Sequence, residues 1–201
     1  MTLVVPDDAI GLPPAPPPAR PRVLLIGTGF ALAGIVLAFA GLIGLYVGRR
    51  AAAIEANQPW LAKDVTIDLT PGNVAMIGLL ISAVVMQWAV YSIANDDRPR
   101  AYLALGLTVL LGGAYINGMA FAYTQMGITV HEPVGLLIFT ITGMHLAMAG
   151  AGMIFVGLMA FRALGGQYSG RDREGIVAAA MYWHVTVLIF AVIWFTIFVT
   201  K

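Results

Sequence analysis

Five long apolar stretches, separated by short polar segments, account for most of the chain. They cover about residues 23–48, 71–94, 101–123, 134–161 and 175–200, and none of them contains Asp, Glu, Lys or Arg. Each has at least the roughly 20 residues that an α-helix needs to cross the hydrocarbon core of a bilayer. The pattern therefore predicts an all-α integral membrane protein, a bundle of five transmembrane helices.

The segment before the first apolar stretch has a different composition. Residues 1–22 lack apolar periodicity and include the run Pro13-Pro14-Ala15-Pro16-Pro17-Pro18, which is typical of an extended, unstructured segment. We expect a proline-rich disordered cytoplasmic tail over residues 1–22 and one transmembrane domain over residues 23–201. The first apolar stretch is too long for the hydrophobic region of a signal peptide, so it is predicted to be a membrane span.

Composition and charge narrow the functions that the chain can perform. Hydrophobic residues make up 60% of the chain, charged residues make up 10%, and the formal net charge is +1. We therefore expect membrane lipids, and no nucleic acid, among its partners. The chain has no cysteine, which excludes disulfides, thiolate metal sites and a cysteine nucleophile. The lack of charged side chains within the spans argues against an independent pump or transporter.

The distribution of Lys and Arg between the two ends of the predicted spans indicates the orientation. Arg20, Arg22, Arg98, Arg100, Arg162, Arg171 and Arg173 fall on the side of the N-terminus, and Arg49, Arg50, Lys63 and Lys201 fall on the other side. Positive charge is enriched on the cytoplasmic side of membrane proteins. The sequence thus predicts that the N-terminus lies inside.

Small residues recur at four-residue spacing within three of the spans. They are Ala40/Gly44/Gly48, Ala114/Gly118/Ala122 and Gly143/Ala147/Ala151. Such spacing places small side chains on one face of a helix and lets neighbouring helices approach closely. We expect close helix packing along these three stripes.

Two histidines lie at membrane depth, His145 in the fourth predicted span and His184 in the fifth. At a rise of about 1.5 Å per residue the two residues fall at similar depths. One interpretation is a haem held between them, or a quinone-reactive membrane anchor. The interpretation that we prefer makes them polar links between helices, with partners such as Thr142, Tyr182 or groups on a neighbouring helix.

Aromatic and basic residues cluster near the predicted inner surface of the membrane. Trp88 lies near the inner end of the second span, Trp183 lies near that of the fifth beside Tyr182, and Arg98 and Arg100 occupy the turn after the second span. Amphipathic rings and guanidinium groups are enriched at this depth, where they meet lipid headgroups. We expect Trp88, Arg98, Arg100 and Trp183 to be candidates for binding phospholipid.

Two ordered motifs in the last two spans point to a known family. The fourth span resembles a threonine-glycine-x-histidine helix, over Phe139-Thr140-Ile141-Thr142-Gly143-Met144-His145 followed by Gly152. The fifth span resembles a tyrosine-tryptophan-histidine signature, over Ala179-Ala180-Met181-Tyr182-Trp183-His184. These are motifs of subunit III of the haem-copper oxidases, the cytochrome c oxidase subunit III family. Weaker similarities to the same family appear in the first span, over Phe39-Ala40-Gly41-Leu42 through Tyr46, and in the third span, over Leu111-Gly112-x-x-Tyr115-Ile116.

The resemblance implies a divergent member of the short, five-helix bacterial form. Such a chain is a non-catalytic subunit of a terminal oxidase in the bacterial plasma membrane and has no active site of its own. Haem and copper are held by its partners, oxidase subunits I and II, and a cytochrome bc-type supercomplex is a further partner. The resemblance also implies bound phospholipid and a V-shaped, two-plus-three arrangement of the helices.

Several positions depart from the family pattern. Gly34 and Ile35 stand where many members have a serine-glutamate pair, and Ala122 stands where the third span often has a glutamate. Met148 and Val187 replace a second histidine and an aspartate. These replacements remove carboxylates to which proton handling is attributed in the family. They leave open a second interpretation of the chain, as the subunit III-like partner of a nitric oxide reductase.

Overall fold

The computed structural model describes residues 22–61, 65 and 67–200, and within these residues the chain folds into five helices. The predicted tail, residues 1–22, lies outside the described residues except for Arg22. The helices are α1 (Val23–Glu55), α2 (Leu69–Ala94), α3 (Arg98–Gln125), α4 (Pro133–Leu164) and α5 (Glu174–Ile193), and α5 continues as a π-helical segment (Trp194–Val199). All five are long and apolar enough to cross a membrane, which confirms the predicted fold class.

Local sequence explains where these helices begin and end. Asp97 precedes α3, and its side chain accepts a hydrogen bond from the Arg100 backbone N–H at 3.4 Å, while Pro99 lies in the first turn. Both features favour a helix start at this position. Pro133 likewise lies in the first turn of α4, where the preceding Glu132 forms no side-chain cap. By contrast, Arg49 and Arg50 do not end the first helix, because α1 continues to Glu55.

The helices are grouped around α5. Four of them form a ring in which α2 packs on α3, α3 on α4, α4 on α5 and α5 on α2, whereas α1 lies outside the ring against α5 and α4. This grouping differs from the two-plus-three V that the resemblance implies, because α1 and α2 each pack on α5 and do not form a separate arm. The physical reason is that α5, the most buried of the five spans, presents packing surfaces on several sides.

Close approach between the helices occurs at glycines outside the three predicted stripes. A Cβ atom at Gly112 in α3 would collide with the ring of Trp183, and one at Gly72 in α2 would collide with Phe198. A Cβ atom at Gly152 in α4 would make tight contacts of 3.0 Å with Tyr182 and 3.1 Å with Trp183. Within the stripes, a Cβ atom added at Gly44, Gly48, Gly118 or Gly143 would meet nothing within 4 Å. The predicted packing along the stripes is therefore wrong for these glycines, because their helix faces point away from the neighbouring helices of the chain.

The two ends of the bundle differ in charge. One end joins the start of α1, the α2–α3 turn and the α4–α5 loop, as shown by hydrogen bonds from Leu25 N to Glu174 Oε1 (2.9 Å) and from Gly170 N to Asp96 Oδ1 (2.7 Å). Among the described residues this end has six arginines and the opposite end has two, Arg49 and Arg50. We refer to the first as the arginine-rich end.

Candidate functional site

His145 lies at the centre of the bundle with both ring nitrogens hydrogen-bonded. The side chain is fully buried, Nδ1 lies 2.7 Å from the Tyr115 hydroxyl, and Nε2 lies 2.9 Å from the backbone carbonyl oxygen of Thr186. Because a carbonyl can only accept, Nε2 donates to Thr186, and Nδ1 then accepts from the Tyr115 hydroxyl. One imidazole thus links α3, α4 and α5.

Aromatic rings from three other helices enclose this imidazole. Phe39 of α1, Tyr115 of α3 and Phe190 of α5 have their ring centroids 6.1, 5.5 and 5.3 Å from that of His145. Edge-to-face and tilted contacts at these distances are favourable for aromatic rings. The weak sequence similarities in the first and third spans therefore mark residues that surround His145.

Two of the partners suggested for His145 from the sequence, Thr142 and Tyr182, form hydrogen bonds elsewhere. Thr142 accepts a hydrogen bond from the Tyr123 hydroxyl at 2.7 Å, and the Tyr182 hydroxyl donates to the Met148 carbonyl oxygen at 3.1 Å. Both residues link helices, but neither bonds to His145. The groups that do, Tyr115 and the Thr186 carbonyl, belong to neighbouring helices.

The sequence Tyr182-Trp183-His184 directs three consecutive side chains to different positions around α5. The Tyr182 hydroxyl reaches the backbone of α4, and Trp183 donates from Nε1 to the Ser82 hydroxyl of α2 at 3.0 Å. His184 Nε2 lies 3.2 Å from Gln87 Oε1, also on α2. Because successive residues of a helix are about 100° apart, each of the three can meet a different surface.

Trp183 is not at the membrane interface, contrary to the sequence prediction. Its side chain is fully buried, and its ring lies against Gly112 and Gly152. The two glycines leave room for the indole between α3 and α4, and Ser82 satisfies its N–H group. Trp183 consequently contacts three other helices of the chain and cannot reach a lipid headgroup.

His145 and His184 do not form a pair of haem ligands in this structure. His145 is enclosed with both nitrogens engaged, whereas His184 is half-buried on another side of α5 and faces α2. An iron bound to His145 would have to displace Tyr115 or Thr186 from a buried hydrogen bond. The residues therefore do not fit a haem held between these two side chains.

The other lipid candidates lie at the surface. Trp88 and Tyr91 are exposed on 37% and 68% of their areas, on the last turns of α2. Arg98 is exposed in the first turn of α3, and Arg100 forms an exposed ion pair with Asp97 at 2.8 Å. Trp88, Arg98 and Arg100 thus occupy the arginine-rich end at positions that a lipid headgroup can reach.

The α4–α5 loop is anchored at the same end by Tyr168. Its hydroxyl donates to the Met159 sulfur at 3.0 Å, and the Arg162 guanidinium lies 5.4 Å from the ring centroid. Burial raises the pKa of the Tyr168 phenol above its ordinary value of 10.0, while the positive charge of Arg162 acts in the opposite direction. Tyr168 is therefore neutral at physiological pH and serves as a packing residue.

Comparison with known proteins agrees with these motifs. The family model described as cytochrome c oxidase subunit III matches residues 30–201. Cytochrome c oxidase subunit 3 of Corynebacterium diphtheriae is 27% identical over 185 residues, which cover 90% of this chain and 88% of that protein. The proteins of the same name from Strongylocentrotus purpuratus and Prototheca wickerhamii are 29% and 28% identical over 84% and 85% of this chain.

The chain spans 65% and 64% of the length of the last two relatives, so it is shorter than they are. With five helices able to cross the bilayer, it is a multi-pass membrane protein. The matched region begins within α1 and includes α2 to α5, with both histidine motifs. The chain therefore belongs to the cytochrome c oxidase subunit III family.

Proposed function

We propose that this chain is a non-catalytic subunit of a bacterial haem-copper terminal oxidase in the plasma membrane. Its partners, oxidase subunits I and II, hold haem and copper and reduce oxygen, and the chain stabilises the catalytic subunit and holds lipid. A cytochrome bc-type supercomplex is a further partner in this proposal. Membership of the subunit III family supports association with other oxidase subunits.

The observation that carries the proposal is that buried polar side chains linking the helices have hydrogen-bond partners within the protein. The side chains of His145, Tyr182 and Trp183 each cross to another helix and have protein partners for their ring nitrogens or hydroxyl. Groups that are engaged in this way hold helices together and have no free nucleophile, base or ligand to offer. This arrangement supports a structural role and disfavours a haem or quinone site built on the histidines.

The outer surface of the bundle supports a partner within the membrane. α1 is buried along one narrow stripe only, Thr28, Leu32, Phe39 and Tyr46. On its opposite face, Gly27, Gly34, Gly41 and Gly48 have open space around the Cβ position. A helix this exposed is available to pack against another subunit or lipid.

Purification of the tagged chain tests this proposal. We expect haem absorbance and copper to co-purify with the chain in mild detergent, together with oxygen reduction by the assembly. After the chain is separated from its partners in stronger detergent, we expect it to be colourless. A b-type haem band in the separated chain, lost in His145→Phe and in His184→Phe, would instead establish the haem-anchor alternative.

The activity of the purified assembly distinguishes the two respiratory alternatives. The replacements Met148 and Val187, which remove a family histidine and aspartate, are the feature that favours the partner of a nitric oxide reductase. Reduction of oxygen by the assembly supports the oxidase proposal. Reduction of nitric oxide without oxygen consumption would replace it with the second candidate.

A further inference from the structure

The outward face of α3 has a seven-residue repeat. Its positions are separated alternately by three and four residues, the spacing that lines up side chains where one helix packs on another with a left-handed crossing. They are Leu103, Gly106, Leu110, Gly113, Asn117, Ala120 and Thr124. We refer to these seven residues as the α3 seam.

The α3 seam lies opposite the side of the helix that packs inside the chain. The buried residues Ala101, Thr108, Tyr115 and Ala122 have the same seven-residue spacing, and each precedes a seam residue by two positions. Two positions correspond to about 200° around an α-helix. Six of the seven seam residues are accordingly exposed, and Gly113 is half-buried.

Asn117 is the residue of the seam that an apolar surroundings cannot satisfy. Its exposed carboxamide has no hydrogen-bond partner within the part of the chain that the structure describes. With α3 centred in the bilayer, Asn117 lies about 8 Å from the midplane, whereas the hydrocarbon core extends about 15 Å to each side. Acyl chains offer neither donor nor acceptor at this depth, so an unpaired amide there costs free energy.

Small residues on the seam allow another helix to come close to Asn117. A Cβ atom added at Gly106 would meet nothing within 4 Å, and one at Gly113 would lie 3.8 Å from Met153 Cε. Ala120 follows at the next equivalent position of the repeat. Helices associate in membranes through close packing and interhelical hydrogen bonds, and the seam offers both.

The carboxamide and the repeat together indicate which helix fits the seam. A carboxamide has both donors and an acceptor, so two of them can exchange a pair of hydrogen bonds. Two copies of one chain inserted in the same orientation, related by a two-fold axis perpendicular to the membrane, bring identical helices together in parallel. Equivalent positions of a seven-residue repeat then face each other, and a single asparagine fixes their register.

We propose that the α3 seam is the dimerisation surface for a second copy of this chain, with the two Asn117 carboxamides hydrogen-bonded to each other across the two-fold axis. No polar group from any other protein is then needed. The inference goes beyond the proposed function, because it joins two assemblies through this subunit. The glycine face of α1, which is available to another subunit, is on a different helix, so the two contacts do not compete for the same residues.

Cysteine cross-linking in native membranes tests the seam, since the chain has no cysteine of its own. The tagged full-length chain with Leu110→Cys is co-expressed with its partner subunits and oxidised with copper phenanthroline. Because equivalent residues face each other in the parallel pair, we expect a disulfide-linked product with twice the mass of the chain.

Leu37→Cys in α1 is the matched control for this cross-link. Leu37 and Leu110 are exposed on 72% and 70% of their areas, and they lie 14 and 12 residues after the first residues of their helices, so they have similar depths. The control should remain monomeric, because Leu37 is outside the seam.

Asn117→Leu tests the hydrogen bonds themselves. Leucine keeps the seam apolar, and the chain should fold because Asn117 has no partner among the described residues. Association is measured by Förster transfer between donor- and acceptor-labelled assemblies in liposomes at increasing lipid dilution. We expect the association constant to fall about tenfold, since each of two interhelical hydrogen bonds contributes a few-fold. Asn117→Gln keeps the carboxamide and should retain most of the association.

The proposal is overturned by an absence of the Leu110→Cys dimer, by an equal yield from Leu37→Cys, or by unchanged association of Asn117→Leu. A cross-link from Leu110→Cys to a different subunit in place of the dimer would assign the seam to that subunit and also overturn it. Haem absorbance of the same preparations reports separately on the proposed function. Monomers that retain haem-containing partners would reject the seam alone, whereas dimers without such partners would support the seam and reject the oxidase role.

Discussion

At the scale of single residues, the core is organised by side chains that must find hydrogen-bond partners away from water. His145, Trp183 and Tyr123 each reach a group on another helix, and the bonds measure between 2.7 and 3.0 Å. A polar group left unpaired in such surroundings costs free energy, so these bonds select one arrangement of the helices over others. The residues contribute to specificity as well as to stability.

Tyr115→Phe tests the contribution of the buried His145 link. The substitution keeps the ring, whose centroid lies 5.0 Å from that of Phe190, but removes the hydroxyl that bonds His145 Nδ1. We expect the free energy of unfolding to fall by about 1 kcal/mol, the scale of a hydrogen bond between membrane helices. Titration with sodium dodecyl sulfate in mixed micelles measures the change.

The matched control for that variant is Tyr91→Phe, because Tyr91 is 68% exposed near the end of α2. Its unfolding free energy should equal that of the unaltered protein. Equal stability of Tyr115→Phe and Tyr91→Phe would show that the His145 bond does not stabilise the bundle.

At the scale of the helices, Trp183 requires small residues on two neighbours. A Cβ atom at Gly112 would lie 2.7 Å from Trp183 Cη2 and 2.9 Å from Met153 Cγ, and one at Gly152 would lie 3.0 Å from Tyr182 Cε1. The indole therefore leaves no room for a side chain at Gly112 and little room for one at Gly152. This requirement links the motif of the fifth helix to glycines in the third and fourth.

Gly112→Ala should accordingly destabilise the protein. We expect a loss of about 1–3 kcal/mol, the usual effect of overpacking a core, because a buried tryptophan ring cannot move aside. The same detergent titration would measure it, with Gly106→Ala of the same helix as control.

Gly106 has nothing within 4 Å of its Cβ position. The control substitution should leave stability unchanged or raise it by up to about 1 kcal/mol, since alanine favours a helix more than glycine does. If Gly112→Ala proved as stable as Gly106→Ala, the close contact with Trp183 would not be a constraint.

The helices also show which parts of the site could be predicted. The motifs around Thr142, His145 and Tyr182 identified residues that the fold brings together, and Gly112 and Tyr115 appeared in a weaker similarity. No motif pointed to Ser82 or Gln87 in α2, although Trp183 and His184 bond to them. Serine and glutamine are unremarkable in an apolar span, and only the helix arrangement reveals their partners.

At the scale of the whole molecule, the unequal charge of the two ends predicts orientation. Among the described residues, six arginines lie at the arginine-rich end and two at the opposite end. Retention of positive charge in the cytoplasm favours the orientation with the arginine-rich end inside. The N-terminal start of α1 then faces the cytoplasm.

Cysteine labelling measures this orientation directly, because the chain contains no cysteine of its own. Gln58→Cys and Gln167→Cys place one thiol at each end, at exposed positions. In intact cells, a membrane-impermeant maleimide should label Gln58→Cys and should label Gln167→Cys only after the cells are broken. The reverse pattern would contradict the predicted topology.

Sequence alone determined the number of membrane spans, the helical class and the family. These follow from stretch length, the placement of charge outside the spans, and two motifs of consecutive residues, all of which are local properties. Packing decided which helices are neighbours and which side chains meet, because every span is apolar and the sequence does not show which spans contact one another. Only the tertiary structure showed that Trp183 is enclosed, that the histidines face apart, and that Asn117 is exposed on the outside of α3, because each depends on which helix lies beside which.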